Sequence, residues 1–287
     1  ELENSIEYYK KFIDEDPYSE YAWFNLGNIY VKLDQFENAV EAFEYSIAID
    51  EEYSSAYINI SEALIKLEKF DQAKKYLERS LSLDGPSPEI YSCLGNVNFY
   101  LEDYSTSISF YQKSIKIDQM FKESYFGLGR SLSKLDKWFE AIHFFKKAYK
   151  IDNKNIEYVK SLAYAEFKVG NLVSSIDLYS KAVEMQPDDY KLSLDFSLIY
   201  YESGDIDKAI DIIDQAIEES PGESLLYYRL VIYLMDAGRY KESINVLESA
   251  LSLNFDNHDV LFDFVPNFES QSALIRVINQ FKNSGNR

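Results

Sequence analysis

The sequence contains few of the residues on which enzymes and metal proteins depend. It has 287 residues but only one cysteine, Cys93, and two histidines, His143 and His258. A single cysteine allows no internal disulfide, so folding needs no oxidising compartment and a cytoplasmic location is favoured. These three residues lack the spacing of a catalytic triad or a metal site. We therefore expect a protein that is not an enzyme and has no catalytic residues, metal or cofactor.

Other absences restrict the class of protein further. Glycine and proline number only ten and six, and 46% of residues are hydrophobic, which is typical of a folded chain. No apolar run is long enough for a membrane span, so no membrane insertion is expected. Basic residues are outnumbered 49 to 29, giving a formal charge of −20. A field of that sign repels phosphate backbones, so nucleic acid is not an expected partner.

A pattern with a period of 34 residues runs through most of the chain. Its clearest copy spans residues 20–53 and contains Trp23, Leu26, Gly27, Tyr30, Ala39 and Phe43. Without any insertion, the frame repeats seven times up to Asn257. The units begin at Glu20, Ser54, Pro88, Lys122, Ile156, Tyr190 and Ser224.

Small residues recur at fixed positions of every unit. The twentieth position is always Ala or Ser, as in Ala39, Ala73, Ser107, Ala141, Ser175, Ala209 and Ser243. The twenty-fourth is always large, as in Phe43 and Tyr111. Two helices approach closely where one presents small residues and the other fills the gap. Each unit is therefore predicted to be a pair of antiparallel helices, with a turn near its fifteenth residue.

The period and the order of these residues resemble the tetratricopeptide repeat. The resemblance implies an all-α, right-handed superhelical α-solenoid of antiparallel helix pairs, forming one domain over residues 1–287. Residues 1–19 would be a half repeat, 20–257 seven full repeats, and 258–287 a degenerate repeat with a C-terminal capping helix. In that last part Pro266 would break the first helix, and Leu274 and Ile278 would lie on the apolar face of the second.

The half repeat at the N-terminal end is expected to leave an apolar strip uncovered, formed by Leu2, Ile6, Tyr9 and Ile13. Two arrangements would cover it. Further repeats could precede Glu1 in a longer natural chain, which we prefer because the sequence opens in mid-repeat. Otherwise two copies could form a homodimer through this open N-terminal edge.

In the family the first helices of successive units line a concave groove that binds a partner. Carried onto this sequence, the resemblance implies a groove lined by aromatic, amide and basic side chains. They are Tyr21, Phe24, Asn25, Asn28, Asn59, Asn96, Phe99, Tyr100, Phe126, Arg130, Tyr164, Phe167, Tyr201, Tyr228 and Arg229. Amides can pair with the backbone of an extended peptide, and aromatic rings supply contact area. The alternative for each ring is that it only packs between neighbouring helices.

The resemblance implies a scaffold or adaptor that binds a peptide or helix of another protein. A carboxylate clamp of the chaperone-binding members is not expected, because only Asn28 and Asn59 match it, whereas Phe24, Glu89 and Cys93 do not. Two alternatives remain open. The chain could be the substrate-recognition part of a larger enzyme with its catalytic domain elsewhere, or a module for self-assembly.

Overall fold

The regular structure of the protein is helical throughout the part described by the computed structural model, which covers residues 2–264 and 271–284. Side chains are described for residues 3–264 and 271–283. Pro266 and the Leu2 side chain therefore lie outside the described part. The chain divides into two compact units, an N-terminal unit of residues 1–153 and a C-terminal unit of residues 154–287.

The N-terminal unit contains a single helix, α1, followed by four helix pairs. The first helices of the pairs are α2, α4, α6 and α8, and the second helices are α3, α5, α7 and α9. Their bounds are α1 Leu2–Glu15, α2 Glu20–Lys32, α3 Phe36–Ile49, α4 Ser54–Lys66, α5 Phe70–Asp84, α6 Pro88–Tyr100, α7 Tyr104–Ile117, α8 Lys122–Lys134 and α9 Trp138–Ile151.

The C-terminal unit contains three helix pairs and two further helices. The first helices of the pairs are α10, α12 and α14. The bounds are α10 Ile156–Lys168, α11 Leu172–Met185, α12 Tyr190–Glu202, α13 Ile206–Glu219, α14 Ser224–Asp236, α15 Tyr240–Leu253, a 3₁₀ turn Phe255–Asp259, α16 Val260–Phe264 and α17 Ser272–Ser284. In both units every first helix of a pair begins at the residue where the 34-residue frame starts a new copy.

Close approach of the two helices in a pair depends on residues without a large side chain. An added Cβ at Gly27 would lie 2.5 Å from the ring of Phe43, and one at Gly95 would lie 2.6 Å from the ring of Tyr111. Ala39, at the twentieth position, is fully buried. The second helix therefore sets its large residue directly against the backbone of the first.

Serines at the twenty-seventh position also satisfy backbone groups. Ser46 Oγ donates a hydrogen bond to the Glu20 carbonyl at 3.0 Å, and Ser114 Oγ donates to the Pro88 carbonyl at 2.7 Å. Both carbonyls belong to the first residue of the serine's own unit. The small residue at this position therefore ties a second helix to the start of its own first helix, a bond that the small volume alone did not predict.

The turn inside each pair adopts a left-handed backbone conformation. In the C-terminal unit glycine occupies the site, at Gly170, Gly204 and Gly238. In the N-terminal unit the same site holds acidic residues, Asp34, Glu68, Glu102 and Asp136, with φ between 55° and 60°. Such a conformation costs a non-glycine residue roughly 1–2 kcal/mol, which packing of the helix pair must offset.

Helix α1 covers more of its apolar face than the sequence predicted. Ile13 is buried, and Ile6 and Tyr9 are half-buried against the core that α2 and α3 form. The aromatic side chains of α1 that remain exposed are instead Tyr8 and Phe12. The prediction that Ile6, Tyr9 and Ile13 form an open strip is therefore wrong, because α1 packs against α2 through them.

The core of the C-terminal unit lies between α13, α14 and α15, and α17 packs against it. Leu274 and Ile278 of α17 are buried in this core together with Leu247 and Leu251 of α15. Helix α14 is buried over most of its length, from Leu226 to Met235.

Candidate functional site

The predicted groove residues of the N-terminal unit lie on α2, α4, α6 and α8, where each first helix contacts the next. At its N-terminal edge, Tyr21 is exposed and meets the ring of Tyr53 edge-on at 5.4 Å. Phe24 also contacts Tyr53, at 5.0 Å, and is half-buried against Phe43. Of the two, Tyr21 offers more surface to a partner. Tyr53 is the last residue of its unit, and sequence reasoning missed it.

Two asparagines are joined across neighbouring first helices. Asn59 Nδ2 donates a hydrogen bond to Asn28 Oδ1 at 2.7 Å, and both residues are half-buried. The pair uses one donor and one acceptor, which leaves an amide group of Asn28 to donate and the Asn59 oxygen to accept. Asn25 is half-buried one turn earlier on α2. These amides match the alternating donors and acceptors of an extended peptide backbone.

The same spacing of 31 residues recurs on the next pair of first helices. Cys93 Sγ lies 3.7 Å from Glu62 Oε1, and Cys93 is buried. Burial, followed by repulsion from Glu62 and Glu89, raises the pKa of the thiol well above its ordinary value. The thiol therefore stays protonated and donates to Glu62, as expected for a packed small residue rather than a nucleophile.

A hydrogen bond from a core tyrosine fixes the orientation of the Asn96 side chain. The Tyr111 hydroxyl donates to Asn96 Oδ1 at 2.7 Å, and its ring occupies the space beside Gly127 and Gly95. Desolvation by burial raises the pKa of Tyr111, so the hydroxyl remains a donor. Tyr111 lies on a second helix, which is why sequence reasoning about the first helices did not find it. The signal for it was the glycine at position 127.

Arg130 forms the centre of a cluster of aromatic rings. Its guanidinium carbon lies 4.1 Å from the centroid of Phe99 and 5.8 Å from those of Tyr100 and Phe126. Phe99 is buried beneath it, so this ring supports Arg130 and presents little surface itself. Tyr100 is exposed and stacks on Phe70 with the ring planes 2° apart. The cluster holds a cation in a defined place on an aromatic surface.

In the C-terminal unit the predicted residues fall into two places. Tyr164 is exposed on α10 and Phe167 is half-buried, with their ring centroids 6.5 Å apart. On α12 and α14, Tyr201 stacks on Tyr233 at 4.7 Å and its hydroxyl bonds to Asp236. Desolvation, reinforced by that hydrogen bond, raises the pKa of Tyr201 to about 12.

The remaining pair is at α14. Arg229 lies over the ring of Phe264, with its guanidinium carbon 3.8 Å from the centroid. Tyr228 is fully buried, and its hydroxyl donates to the Asn254 carbonyl at 2.9 Å. The prediction of Tyr228 as a groove residue is therefore wrong, because its side chain is enclosed in the core of the C-terminal unit. Burial raises the pKa of Tyr228 to about 12.

The described residues contain neither a metal site nor a membrane-spanning helix. Within residues 2–264 and 271–284, no group of three or more His, Cys, Asp or Glu side chains is placed to hold a metal ion. None of the helices described there combines the length and the apolar character that crossing a membrane requires.

Comparison with protein families finds the tetratricopeptide repeat in most of the chain. Three models of this family match, the first over residues 20–53, the second over 166–231, and the third over 54–86, 122–155 and 225–257. No curated protein matches the sequence.

Solved structures share the fold at low sequence identity. The Cut9 complex with Hcn1, a hetero-tetramer of APC/C, matches with a TM-score of 0.69 and 19% identity over 82% of this chain. The match covers 46% of the solved chain, so this chain spans about half its length. A repeat protein of Cytophaga hutchinsonii matches at 0.61 and 18% identity, over 80% of this chain and 95% of that one. PilF of Pseudomonas aeruginosa matches at 0.61 and 16%, over 72% and 94%.

Proposed function

Because the chain belongs to the tetratricopeptide repeat family, we propose that it is a non-enzymatic scaffold that binds an extended segment of a partner protein along its first helices. The observation that carries the proposal is the pair Asn28 and Asn59, which presents a donor and an acceptor side by side in the N-terminal unit. Proteins of this family are generally scaffolds that bind other proteins. The Cut9 chain, for its part, was crystallised with a protein partner, Hcn1.

The proposed site in the N-terminal unit changes in chemistry along its length. Near α2 and α4 it offers amides, which would bind the peptide backbone and place few demands on its sequence. Near α6 and α8 it offers the exposed ring of Tyr100 and the cation of Arg130. That end would select a ligand residue with an acidic or aromatic side chain. In the C-terminal unit, Tyr164, Phe167, Tyr201 and Arg229 form the proposed contact residues.

The test is selection of peptides from a random display library against the whole chain, followed by affinity measurement on variants. Asn28→Ala combined with Asn59→Ala should reduce the affinity for the selected peptide roughly tenfold, because two hydrogen bonds of about 0.5–1.5 kcal/mol each are removed. Helicity should not change, because both side chains are on the surface side of their helices.

The matched control is Asn38→Ala. Asn38 is an exposed asparagine on the second helix α3, where its side chain donates a hydrogen bond to Gln35 Oε1 at 3.0 Å. The Asn38→Ala variant should bind the peptide with the same affinity as the parent. Equal affinity of the double variant and the parent would show that the first helices of the N-terminal unit are not the site.

A second candidate is self-association through α1. The exposed rings of Tyr8 and Phe12 support it, because large aromatic side chains gain most from burial against another surface. The two functions are independent, since α1 is a second-helix equivalent and does not line the proposed groove.

A further inference from the structure

A regular arrangement of aromatic rings and cations lies on the opposite side of the N-terminal unit, between its second helices. In three of the four pairs, the second helix supplies a ring and a cation beside an aromatic residue at the fourth position. Tyr91 and Phe110 lie 6.0 Å apart, and Lys113 Nζ lies over both rings, at 5.6 and 4.8 Å. We call each such group a rung.

The next pair along the chain repeats the rung, with its cation at similar distances from the two rings. Lys147 Nζ lies 5.1 Å from the centroid of Tyr125 and 5.9 Å from that of Phe144. Lys113 and Lys147 are 34 residues apart and occupy the same place in the repeat. Both lysines are exposed, so their charges face solvent while the rings hold their stems in place.

The preceding pair supplies a third rung at one end of the row. Tyr57 and Tyr76 lie 6.1 Å apart, and with Arg79 they line a cleft of about 490 Å³ between α3 and α5. Arg79 is exposed and occupies the position equivalent to Lys113 and Lys147. Three successive pairs therefore have two aromatic rings and a cation at equivalent positions, and in two of them the cation lies over the rings. The row ends at α3, where the position holds Tyr45, stacked on Trp23.

The charge of this surface is opposite in sign to that of the chain. Helices α7 and α9 together carry five lysines and one acidic residue, Glu140, and α5 carries three basic and three acidic residues. Helix α13, the second helix of a pair in the C-terminal unit, carries five acidic residues and one lysine. At physiological ionic strength charges act over only about 8 Å, so an approaching ligand experiences this patch more than the net charge of −20.

We propose that the row of rungs on α5, α7 and α9 is a second docking surface, whose ligand is an extended acidic segment of a partner protein. Helices α5, α7 and α9 are joined through the first helices α6 and α8 that lie between them. A ligand that reaches more than one of the cations must therefore be extended, and because an extended chain advances about 3.3 Å per residue, its carboxylates must be several residues apart. This surface is separate from the groove of the first helices.

The probe is a synthetic peptide with aspartate at every third position and neutral residues between. A second peptide of the same composition groups its aspartates at one end. Fluorescence anisotropy on the full chain should show roughly tenfold tighter binding of the spaced peptide. The affinity should fall when salt is raised from about 50 mM to about 300 mM, because the contacts are exposed ion pairs.

Charge reversal identifies the surface. Lys113→Glu combined with Lys147→Glu should reduce the affinity by tenfold or more, whereas Lys113→Arg with Lys147→Arg should retain it. The matched control is Lys208→Glu with Lys241→Glu, two exposed lysines of the C-terminal unit. Lys208 also lies over a ring, that of Tyr200 at 5.9 Å, so the control loses a similar contact. Circular dichroism checks that every variant is folded.

Several outcomes would overturn the proposal. One is failure of the spaced peptide to bind, or equal affinity for the spaced and the grouped peptide. Another is an equal loss of affinity for the spaced peptide in the control variant, Lys208→Glu with Lys241→Glu. Loss of binding in Arg130→Gln but not in the reversed lysines would place the peptide in the groove instead. Tighter binding of a single-stranded oligonucleotide, or of anionic lipid vesicles, than of the spaced peptide would show that the ligand is not an acidic protein segment.

Discussion

The ring of Tyr111 fills the space that a side chain at position 127 would need. An added Cβ on Gly127 would lie 2.2 Å from Tyr111 Cζ, and the Tyr111 hydroxyl reaches past it to Asn96 at 2.7 Å. Tyr111 is fully buried, so it has no free volume into which to move. One core tyrosine therefore couples the packing of α6, α7 and α8 to the orientation of an amide at the proposed groove.

Gly127→Ala should therefore destabilise the protein by roughly 1–3 kcal/mol, because the methyl group overpacks a buried ring. Thermal unfolding followed by circular dichroism measures the change. Gly222→Ala is the control, since a Cβ there would have no atom within 4 Å. If the two variants melt at the same temperature, the position of Tyr111 described above is wrong.

Ala141→Leu should also lower the free energy of unfolding by roughly 1–3 kcal/mol. Ala141 is fully buried where α9 crosses α8, and its equivalents in all seven copies are Ala or Ser. Ala48→Leu introduces the same side chain at an exposed site of α3 and should have little effect. A melting temperature of Ala141→Leu that equals the parent's would contradict the packing at this crossing.

Substitutions at the left-handed turns should change the stability of the protein in opposite directions in the two units. Gly204 has φ of 88° and no atom within 4 Å of an added Cβ, so Gly204→Ala should cost about 1 kcal/mol through backbone strain alone. Glu102 has φ of 60°, and Glu102→Gly should be neutral or stabilise by a fraction of 1 kcal/mol, since relief of strain exceeds the added freedom of the unfolded chain. Urea unfolding measures both changes in the free energy of unfolding, provided that its dependence on urea concentration is the same in the variants and the parent. Changes of the same sign would refute the argument.

Glu62 predicts a dependence of stability on pH. Desolvation, then repulsion from Glu89, raises its pKa above the ordinary value of 4.5, although a hydrogen bond from Cys93 opposes the shift. The folded state therefore binds a proton more readily than the unfolded state, and the ionised carboxylate weakens the fold at neutral pH. Its contribution improves as pH falls through the folded pKa and is complete below the ordinary value of 4.5.

Glu62→Gln should accordingly raise the free energy of unfolding at pH 7 by a few tenths of a kcal/mol, because solvent still reaches part of the side chain and reduces the cost of its charge. The advantage should disappear below about pH 4, where the parent carboxyl is protonated. Asp103 provides the contrast, because the hydrogen bond from Thr106 lowers its pKa. Asp103→Ala should lose stability at neutral pH. A pH-independent gain in Glu62→Gln would exclude this electrostatic origin.

The proposed self-association through α1 is tested by Tyr8→Glu combined with Phe12→Glu. Both rings are exposed, at 65% and 42%, so the charges should prevent association without unfolding the helix. Sedimentation velocity at increasing concentration measures the mass. Tyr18→Glu with Tyr240→Glu is the control, since these tyrosines are also exposed but do not lie on α1. A parent that remains monomeric at every concentration, or variants that associate equally, would count against a dimer.

Much of the local structure follows from the sequence. Leu26, Gly27, Ala39 and Phe43 recur at fixed spacings, and the observed helices begin where that frame predicts, for example at Ser54 and Lys122. Such prediction succeeds because the interactions involved are short in range: a small residue opposite a large one within one helix pair. The same reasoning predicted Asn28 and Asn59 on neighbouring first helices, although it did not predict that they bond to each other.

Only the tertiary structure decided which side chains remain accessible. The helical period places Tyr228 and Tyr100 on comparable faces, but Tyr228 is buried in the core of the C-terminal unit and bonds to Asn254, whereas Tyr100 is exposed. In the same way Ile6 is partly buried against α2, while Tyr8 is left in solvent. A periodic pattern assigns a residue to one side of its helix. Accessibility depends on residues distant in the chain, because burial is set by which neighbouring helix packs against that side.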